Sequence, residues 1–171
     1  GIILNWKKND IILTVPNTFV ATVNSIIYSG ATPDLVDINP KTFSIDLDLL
    51  EQKIKIYKKN KKKIKSVIAV DYAGYPCDWK ELKFLSNKYH FKLVNDNCHA
   101  IGSKFNNRLD YASKYADIVT HSYHPVKNIT TGEGGALLSN NYEYINKAKL
   151  IRSHGLKYFK KNDKFKHYNL E

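Results

Sequence analysis

One lysine, Lys127, stands out from the many lysines of this chain because of the residues around it. It precedes a glycine-rich turn at residues 132–135, within the segment V-T-H-S-Y-H-P-V-K-N-I-T-T-G-E-G-G-A-L-L-S-N that covers residues 119–140. The pattern places it on a loop between two strands, beside the uncharged Pro125 and Val126. Uncharged neighbours can desolvate an amine and favour its neutral, nucleophilic form. An arbitrary loop lysine, in contrast, is usually a solvated surface residue.

A carboxylate follows a second apolar run. Residues 91–94 predict a strand, and Asp96 and His99 come directly after it. Without further context, an aspartate at a strand end more often caps a turn than takes part in catalysis.

An aromatic residue and two hydroxyl residues lie at other predicted turns. Residues 11–15 predict a short strand, and Asn17 and Thr18 are predicted to cap the helix that follows. Phe19 then lies at the strand-to-helix turn, where packing in the core is the commoner role of an aromatic side chain. Ser122, five residues before Lys127, is by position alone a backbone cap at a strand end.

These residues must be positioned by an alternating series of strands and helices. Strand patterns cover residues 11–15, 34–38, 64–70, 91–94, 116–120 and 135–139, and helical patterns cover residues 19–30, 46–57, 78–89 and 142–153. Residues 64–70 form a stretch rich in β-branched residues, of the kind that is buried in parallel sheets. The sequence therefore predicts an α/β domain. The segment D-Y-A-G at residues 71–74 ends one strand, where open sheets place their ligand-contacting loops.

Composition argues against several classes of protein. The net charge is +11, but Arg108 and Arg152 are the only arginines, and the run of lysines at residues 58–65 is predicted to be a solvated connection. We therefore expect no nucleic acid as a partner. Cys77 and Cys98 form no C-x-x-C pair, which favours a reduced, cytoplasmic setting. No window reaches the roughly 18 consecutive apolar residues of a membrane span, so we expect no membrane contact.

Metal and hydrolase sites are also disfavoured. His121 and His124 lie three apart without nearby carboxylates in ligand spacing, so no metal is expected. Ser122, His99 and Asp96 could be written as a hydrolase triad, but no G-x-S-x-G motif is present.

Three segments together resemble a known family. S-Y-H-P-V-K-N-I-T-T-G-E-G-G, N-D-N-C-H-A-I-G and V-P-N-T-F-V-A-T-V-N-S-I are similar, in order and spacing, to the DegT/DnrJ/EryC1/StrS sugar aminotransferases. The resemblance implies a three-layer α/β/α sandwich, the large domain of pyridoxal phosphate (PLP) enzymes of fold type I. It implies that residues 1–171 are a partial PLP-binding domain, truncated at both ends. An upstream phosphate-binding segment and a C-terminal small domain would be missing.

The resemblance also assigns roles to individual residues. Lys127 would bond covalently to the cofactor and move a proton, and Asp96 would pair with the pyridine nitrogen. Phe19, after Thr18, would stack on the ring, and His99 would pack beside the ring and its 3-oxygen.

Ser122 would donate to the cofactor phosphate, again by resemblance. The chain departs from the family at Asp71 and Tyr75, where His and Gln are usual. It also departs around Asp96, where Asn95 replaces Glu and Asn97-Cys98 replaces Ala-Ala.

The implied activity is transfer of an amino group from glutamate to a 4-keto nucleotide sugar. Such a sugar would belong to pseudaminic acid or a related surface polysaccharide, and the full-length enzyme would be a homodimer. Two alternatives stay open. One is a C3 aminotransferase of another nucleotide sugar, and the other is an inactive, truncated remnant of such an enzyme.

Overall fold

A six-stranded sheet forms the centre of the structure, a computed structural model that describes residues 1–156. The strands are β1 (Ile11–Thr14), β2 (Thr32–Leu35), β3 (Ile64–Val70), β4 (Lys92–Asp96), β5 (Ile118–Ser122) and β6 (Gly135–Leu138). Their spatial order is β2-β1-β3-β4-β5-β6, and only β6 runs antiparallel, paired with β5. The predicted parallel α/β sheet is therefore confirmed.

In the described part of the chain, five α-helices cover the two faces of the sheet. They are α1 (Val20–Ile27), α2 (Leu47–Lys59), α3 (Trp79–Tyr89), α4 (Tyr111–Tyr115) and α5 (Tyr142–Arg152). One apolar core joins the sheet to α2, α3 and α4, and a second joins its other face to α1, α5 and the N-terminal segment. Two helix layers around one sheet make the three-layer α/β/α sandwich that the sequence predicted.

Strand β3 lies at the buried centre of the sheet. All of its residues except Lys65 are buried, as expected for the β-branched stretch at residues 64–70. Strand β4 next to it buries Leu93, Val94 and Asn95. The carboxyl ends of these two strands are therefore held in fixed register, Val70 beside Asp96.

Two helices are capped by aspartate side chains, and a third lacks the cap that the sequence predicted. The side chains of Asp46 and Asp78 accept hydrogen bonds at the first turns of α2 and α3. The predicted cap of α1 by Asn17 and Thr18 is wrong, because Phe19 occupies the N-cap position without a side-chain cap bond. Thr18 instead donates to a hydroxyl inside the helix.

Other differences are small shifts or missed elements. The edge strand β2 begins and ends earlier than the predicted strand at residues 34–38, and α4 was not predicted. The lysines at residues 58–63 are exposed, as expected for a solvated connection. The weakly patterned segment at residues 158–171 lies outside the described residues. No helix of the described part is long and apolar enough to cross a membrane.

Candidate functional site

A cavity of about 430 Å³ lies at the carboxyl ends of the parallel strands. Its wall includes residues that follow β1, β3, β4 and β5, and the chain order reverses between β1 and β3. Open α/β sheets bind their ligands at this reversal, in the crevice outside the strand ends. All six residues assigned by resemblance line this single cavity: Thr18, Phe19, Asp96, His99, Ser122 and Lys127.

A larger cleft of about 700 Å³ lies over α2 and α3, but none of those six residues lines it. Its wall carries acidic side chains such as Asp46, Asp78 and Glu81, and Tyr75 also lies there. Tyr75, one of the positions that depart from the family, thus lines this cleft and is not among the described residues that line the cavity containing Lys127.

Lys127 lies on the loop between β5 and β6. The pairing of Ser122 with Gly135 closes this loop, and a backbone bond of 2.9 Å from Tyr123 N to Gly134 O continues the closure. Inside the loop, Lys127 N donates to His124 O at 2.9 Å. The side chain is half-buried, and its Nζ lies 2.8 Å from His99 Nε2. The amine is thus held toward the strand end that carries His99.

Asp96, at the end of β4, is oriented by a hydroxyl from the facing helix. Thr22 Oγ1 donates to Asp96 Oδ2 at 2.7 Å, and Thr18 Oγ1 donates to Thr22 Oγ1 at 2.8 Å. The backbone N–H of Cys98 donates to the other oxygen, Asp96 Oδ1, at 3.3 Å. Thr22 was missed in the sequence, because its donor Thr18 lies before the helix and its acceptor Asp96 lies 74 residues away.

The remaining lining residues surround these two groups. The ring of His99 packs edge-on against Tyr72, with 6.2 Å between ring centroids. Phe19, at 71% exposure, lies at the rim, and Ser122 is half-buried in the wall. Tyr72 was anticipated only as part of the ligand-contacting loop.

The thiol of Cys98 also lines the cavity, but it is not a nucleophile. Burial, followed by the nearby negative charge of Asp96, raises the pKa of Cys98 to about 12. The thiol therefore stays protonated near neutral pH, and thiols react as thiolates.

The residues considered for a hydrolase triad make other contacts in the structure. His99 contacts Lys127 and Asp96 accepts from Thr22, while Ser122 Oγ accepts a long bond of 3.4 Å from His124 N. Within residues 1–156, no group of three or more His, Cys, Asp or Glu side chains could hold a metal ion.

Asp71 does not belong to the ligand-contacting loop, contrary to the expectation for the D-Y-A-G segment. Its side chain is fully buried and bonds to residues of α3 and α4, whereas Tyr72 lines the cavity. Directly after β3, these two neighbouring side chains therefore point to different compartments.

The donor set of the cavity fits PLP. An amine can bond to the cofactor aldehyde, a carboxylate can pair with a pyridinium nitrogen, and a hydroxyl can donate to phosphate. Lys127, Asp96 and Ser122 supply these groups, and the volume lies within the usual range of cofactor sites, about 300 to 1,000 Å³.

Comparisons with known proteins agree with this geometry. The sequence profile of the DegT/DnrJ/EryC1/StrS aminotransferase family matches residues 2–170. A UDP-4-amino-4,6-dideoxy-N-acetyl-beta-L-altrosamine transaminase from Campylobacter jejuni subsp. jejuni serotype O:23/36 (strain 81-176) is 40% identical over 149 residues. That match covers 87% of this chain and 38% of the relative.

Solved structures show the same fold. Helicobacter pylori PseC, an aminotransferase involved in the biosynthesis of pseudoaminic acid, superposes with a TM-score of 0.82 at 31% identity, over 98% of this chain and 43% of that chain. NtdA from Bacillus subtilis, solved with bound cofactor PMP, gives a TM-score of 0.81 at 33% identity, over 98% of this chain and 36% of that chain. The predicted fold, the α/β/α sandwich of PLP-dependent aminotransferases, is thus confirmed, and the chain spans less than half the length of these relatives. This chain belongs to the DegT/DnrJ/EryC1/StrS aminotransferase family.

Proposed function

We propose that this chain is part of a PLP-dependent aminotransferase that moves an amino group from glutamate to the 4-keto group of a nucleotide sugar. The sugar would serve pseudaminic acid or a related polysaccharide. Family membership and the likeness to PseC support the class of reaction. The observation that carries the proposal is that Lys127 and Asp96, on two different strand ends, line one cavity.

Bound PLP supplies an electron sink for charge that develops at the α-carbon of the amino donor. Among residues 1–156, Lys127 is the one lysine that lines this cavity, so it is the residue that would bond to the cofactor aldehyde. When the amino donor displaces it, the free Nζ would carry the proton from the donor's α-carbon. The contact of 2.8 Å between Lys127 Nζ and His99 Nε2 holds the free amine against the cavity wall.

Asp96 would face the pyridine nitrogen and keep it protonated, because an opposite charge at hydrogen-bond distance favours the cation. The two donors on its carboxylate, Thr22 Oγ1 and Cys98 N, fix the direction in which the oxygens point. A fixed carboxylate does not have to reorganise when charge develops on the cofactor.

The other lining residues would bind and orient the cofactor. Phe19 offers a large apolar surface at the rim, suited to covering an aromatic ring and excluding water. Ser122 offers a hydroxyl for the phosphate, and Thr18 acts on the cofactor through Thr22 and Asp96. His99 lies between Lys127 and Tyr72, where it could pack beside the ring.

Covalent trapping tests the proposal at the level of one residue. The purified chain is mixed with PLP, reduced with borohydride, digested and analysed by mass spectrometry. We expect a visible absorbance band before reduction, and a stable cofactor adduct on the peptide that contains Lys127. Lys127→Ala should abolish both signals. Lys104→Ala should keep both, because Lys104 lines the larger cleft.

Two results would count against the proposal. If the chain binds no PLP, the alternative of an inactive remnant is favoured for this chain. If the band and adduct survive in Lys127→Ala, another lysine holds the cofactor and the assignment of Lys127 is wrong.

The acceptor is tested separately. Protein loaded with PLP is incubated with glutamate and a 4-keto-6-deoxy nucleotide sugar, and the product is analysed by NMR. A new amino group at C4 supports the proposal, whereas activity only with a 3-keto nucleotide sugar favours the C3 alternative. The homodimer, the cytoplasmic location and the partial large domain at residues 1–171 stay predictions. Sedimentation of the full-length protein would test the first of these.

A further inference from the structure

We propose that Asp71 is a positioning residue, which fixes Asp96 from the opposite face of the sheet. The inference deepens the proposed function and rests on it for the role of Asp96. Asp71 directly follows β3, and its backbone N–H donates to the carbonyl oxygen of Asp96 at 3.1 Å. The two aspartates therefore sit on neighbouring strand ends, joined through the backbone.

The carboxylate of Asp71 is fully buried and accepts five hydrogen bonds. Oδ1 accepts from the backbone of Cys77 and from Trp79 Nε1, both at 2.9 Å. Oδ2 accepts from three side chains at 2.8 to 3.0 Å: Asn95, Asn97 and Tyr111. A buried charge is tolerated only when it is well satisfied, and this donor set satisfies it.

Two of the five donors flank Asp96 in the chain. Side chains alternate along a strand, so Asn95 and Asn97 point to the α3 and α4 side, and Asp96 points to the α1 side. Both asparagines are almost fully buried, and each bonds through Nδ2 to Asp71. The residues on either side of Asp96 therefore both bond to one buried carboxylate, that of Asp71, on the opposite face of the sheet.

Tyr111, on α4, is the fifth donor to the carboxylate of Asp71. Its hydroxyl donates to Asp71 and accepts from Asn97 Nδ2 at 2.9 Å. Burial, followed by the negative charge of Asp71, raises the pKa of Tyr111 well above its usual value, so the hydroxyl keeps the proton that it donates. With α3, α4, β3 and β4 all joined at Asp71, the end of β4 cannot rotate without breaking several buried bonds. These buried hydrogen bonds therefore help to set the direction of the Asp96 side chain.

The first test needs no cofactor. In the chain without PLP, Asp71→Asn should shift the backbone amide signals of Asn97 and Cys98 in ¹⁵N NMR spectra and speed their exchange with solvent. The indole signal of Trp79 should shift as well. The matched control is Ser66→Ala, which loses a different buried bond, from Trp6 Nε1 at 2.8 Å, at the other end of β3. It should leave the signals of Asn97 and Cys98 in place.

The second test separates positioning from general stability. We expect Asp71→Asn to weaken PLP binding by about tenfold, since small misplacements of a site group are costly. In an Asp96→Asn background, Asp71→Asn should weaken PLP binding by about twofold or less, because Asp96 is the residue through which Asp71 acts. An equal loss in both backgrounds would overturn the inference, as would unshifted amide signals at the end of β4.

A second, milder variant keeps the test possible if the first variant misfolds. If Asp71→Asn does not fold, Tyr111→Phe removes one of the five donors and should give the same pattern with smaller shifts and a weaker loss of PLP affinity. If the unaltered chain binds no PLP, the proposed function fails, and the amide signals alone then decide whether Asp71 positions the end of β4.

Discussion

The hydroxyl of Tyr111 offers a quantitative test of the buried cluster around Asp71. Tyr111 is 1% exposed, and its hydroxyl donates to a buried carboxylate at 2.8 Å. Hydrogen bonds to charged groups contribute about 1.5 to 3 kcal/mol, so Tyr111→Phe should lower the free energy of unfolding by about 2 kcal/mol. In a domain of this size, that loss corresponds to a decrease in Tm of roughly 4 to 8 °C.

Urea unfolding at pH 7, followed by tryptophan fluorescence, measures this change. The control is Tyr115→Phe, because Tyr115 lies on the same helix and its ring also packs against Phe105. Within residues 1–156, the Tyr115 hydroxyl makes no hydrogen bond, so we expect a change within about 0.5 kcal/mol. A loss below about 0.5 kcal/mol in Tyr111→Phe, or an equal loss in both variants, would refute the reasoning.

The pH dependence gives a second check with a defined sign. The folded protein raises the pKa of Tyr111 through burial and the charge of Asp71. A raised pKa contributes stability that is complete below the unfolded value, about 10 for tyrosine, and is lost as the pH rises beyond it. The difference between wild type and Tyr111→Phe should therefore be constant from about pH 6 to 8 and shrink above about pH 10.

Two further predictions concern the edge of the sheet and a surface ion cluster. A Cβ at Gly135 would lie 2.6 Å from the backbone oxygen of His121, so Gly135→Ala should force β6 away from β5. We expect a loss of about 1 to 3 kcal/mol in urea unfolding; an unchanged midpoint would contradict the contact. Glu51 accepts bonds from Lys55, Lys88 and the hydroxyl of Tyr89, which lower its pKa to about 2. Its stabilising effect should therefore be complete above about pH 4.5 and be lost as the pH falls toward 2. Glu51→Gln should flatten the decline of the urea midpoint in that window, and parallel declines in both proteins would refute the assignment.

Much of the fold could be predicted because its signals are local. The strand pattern at residues 64–70 became β3 with the same bounds, and the helical pattern at residues 78–89 became α3. Lys127 and Asp96 were recognised from their position after predicted strands and from resemblance to a family. Their common cavity follows from the parallel sheet, which brings the carboxyl ends of strands together at one edge.

What the sequence did not reveal depends on contacts between distant segments. The bond from Thr22 to Asp96 joins residues 74 positions apart, and helical spacing alone gives no sign of it. Asp71 was assigned to a ligand-contacting loop because it follows a strand, but its direction is set by donors on α3 and α4. The helix α4 was missed because five residues are too few to show an apolar periodicity.

The alternation of side chains at the end of β4 has a practical consequence for protein engineering. Apolar cavity positions on α1, such as Ala21, can be randomised in a library to adapt the cavity to new acceptors, since an alanine side chain makes no hydrogen bond to Asp96. Asn95 and Asn97 share a buried acceptor on the reverse side, so a change at either one disturbs the other. Directed evolution should therefore sample the two compartments in separate rounds, with the asparagine pair kept constant while the cavity is diversified.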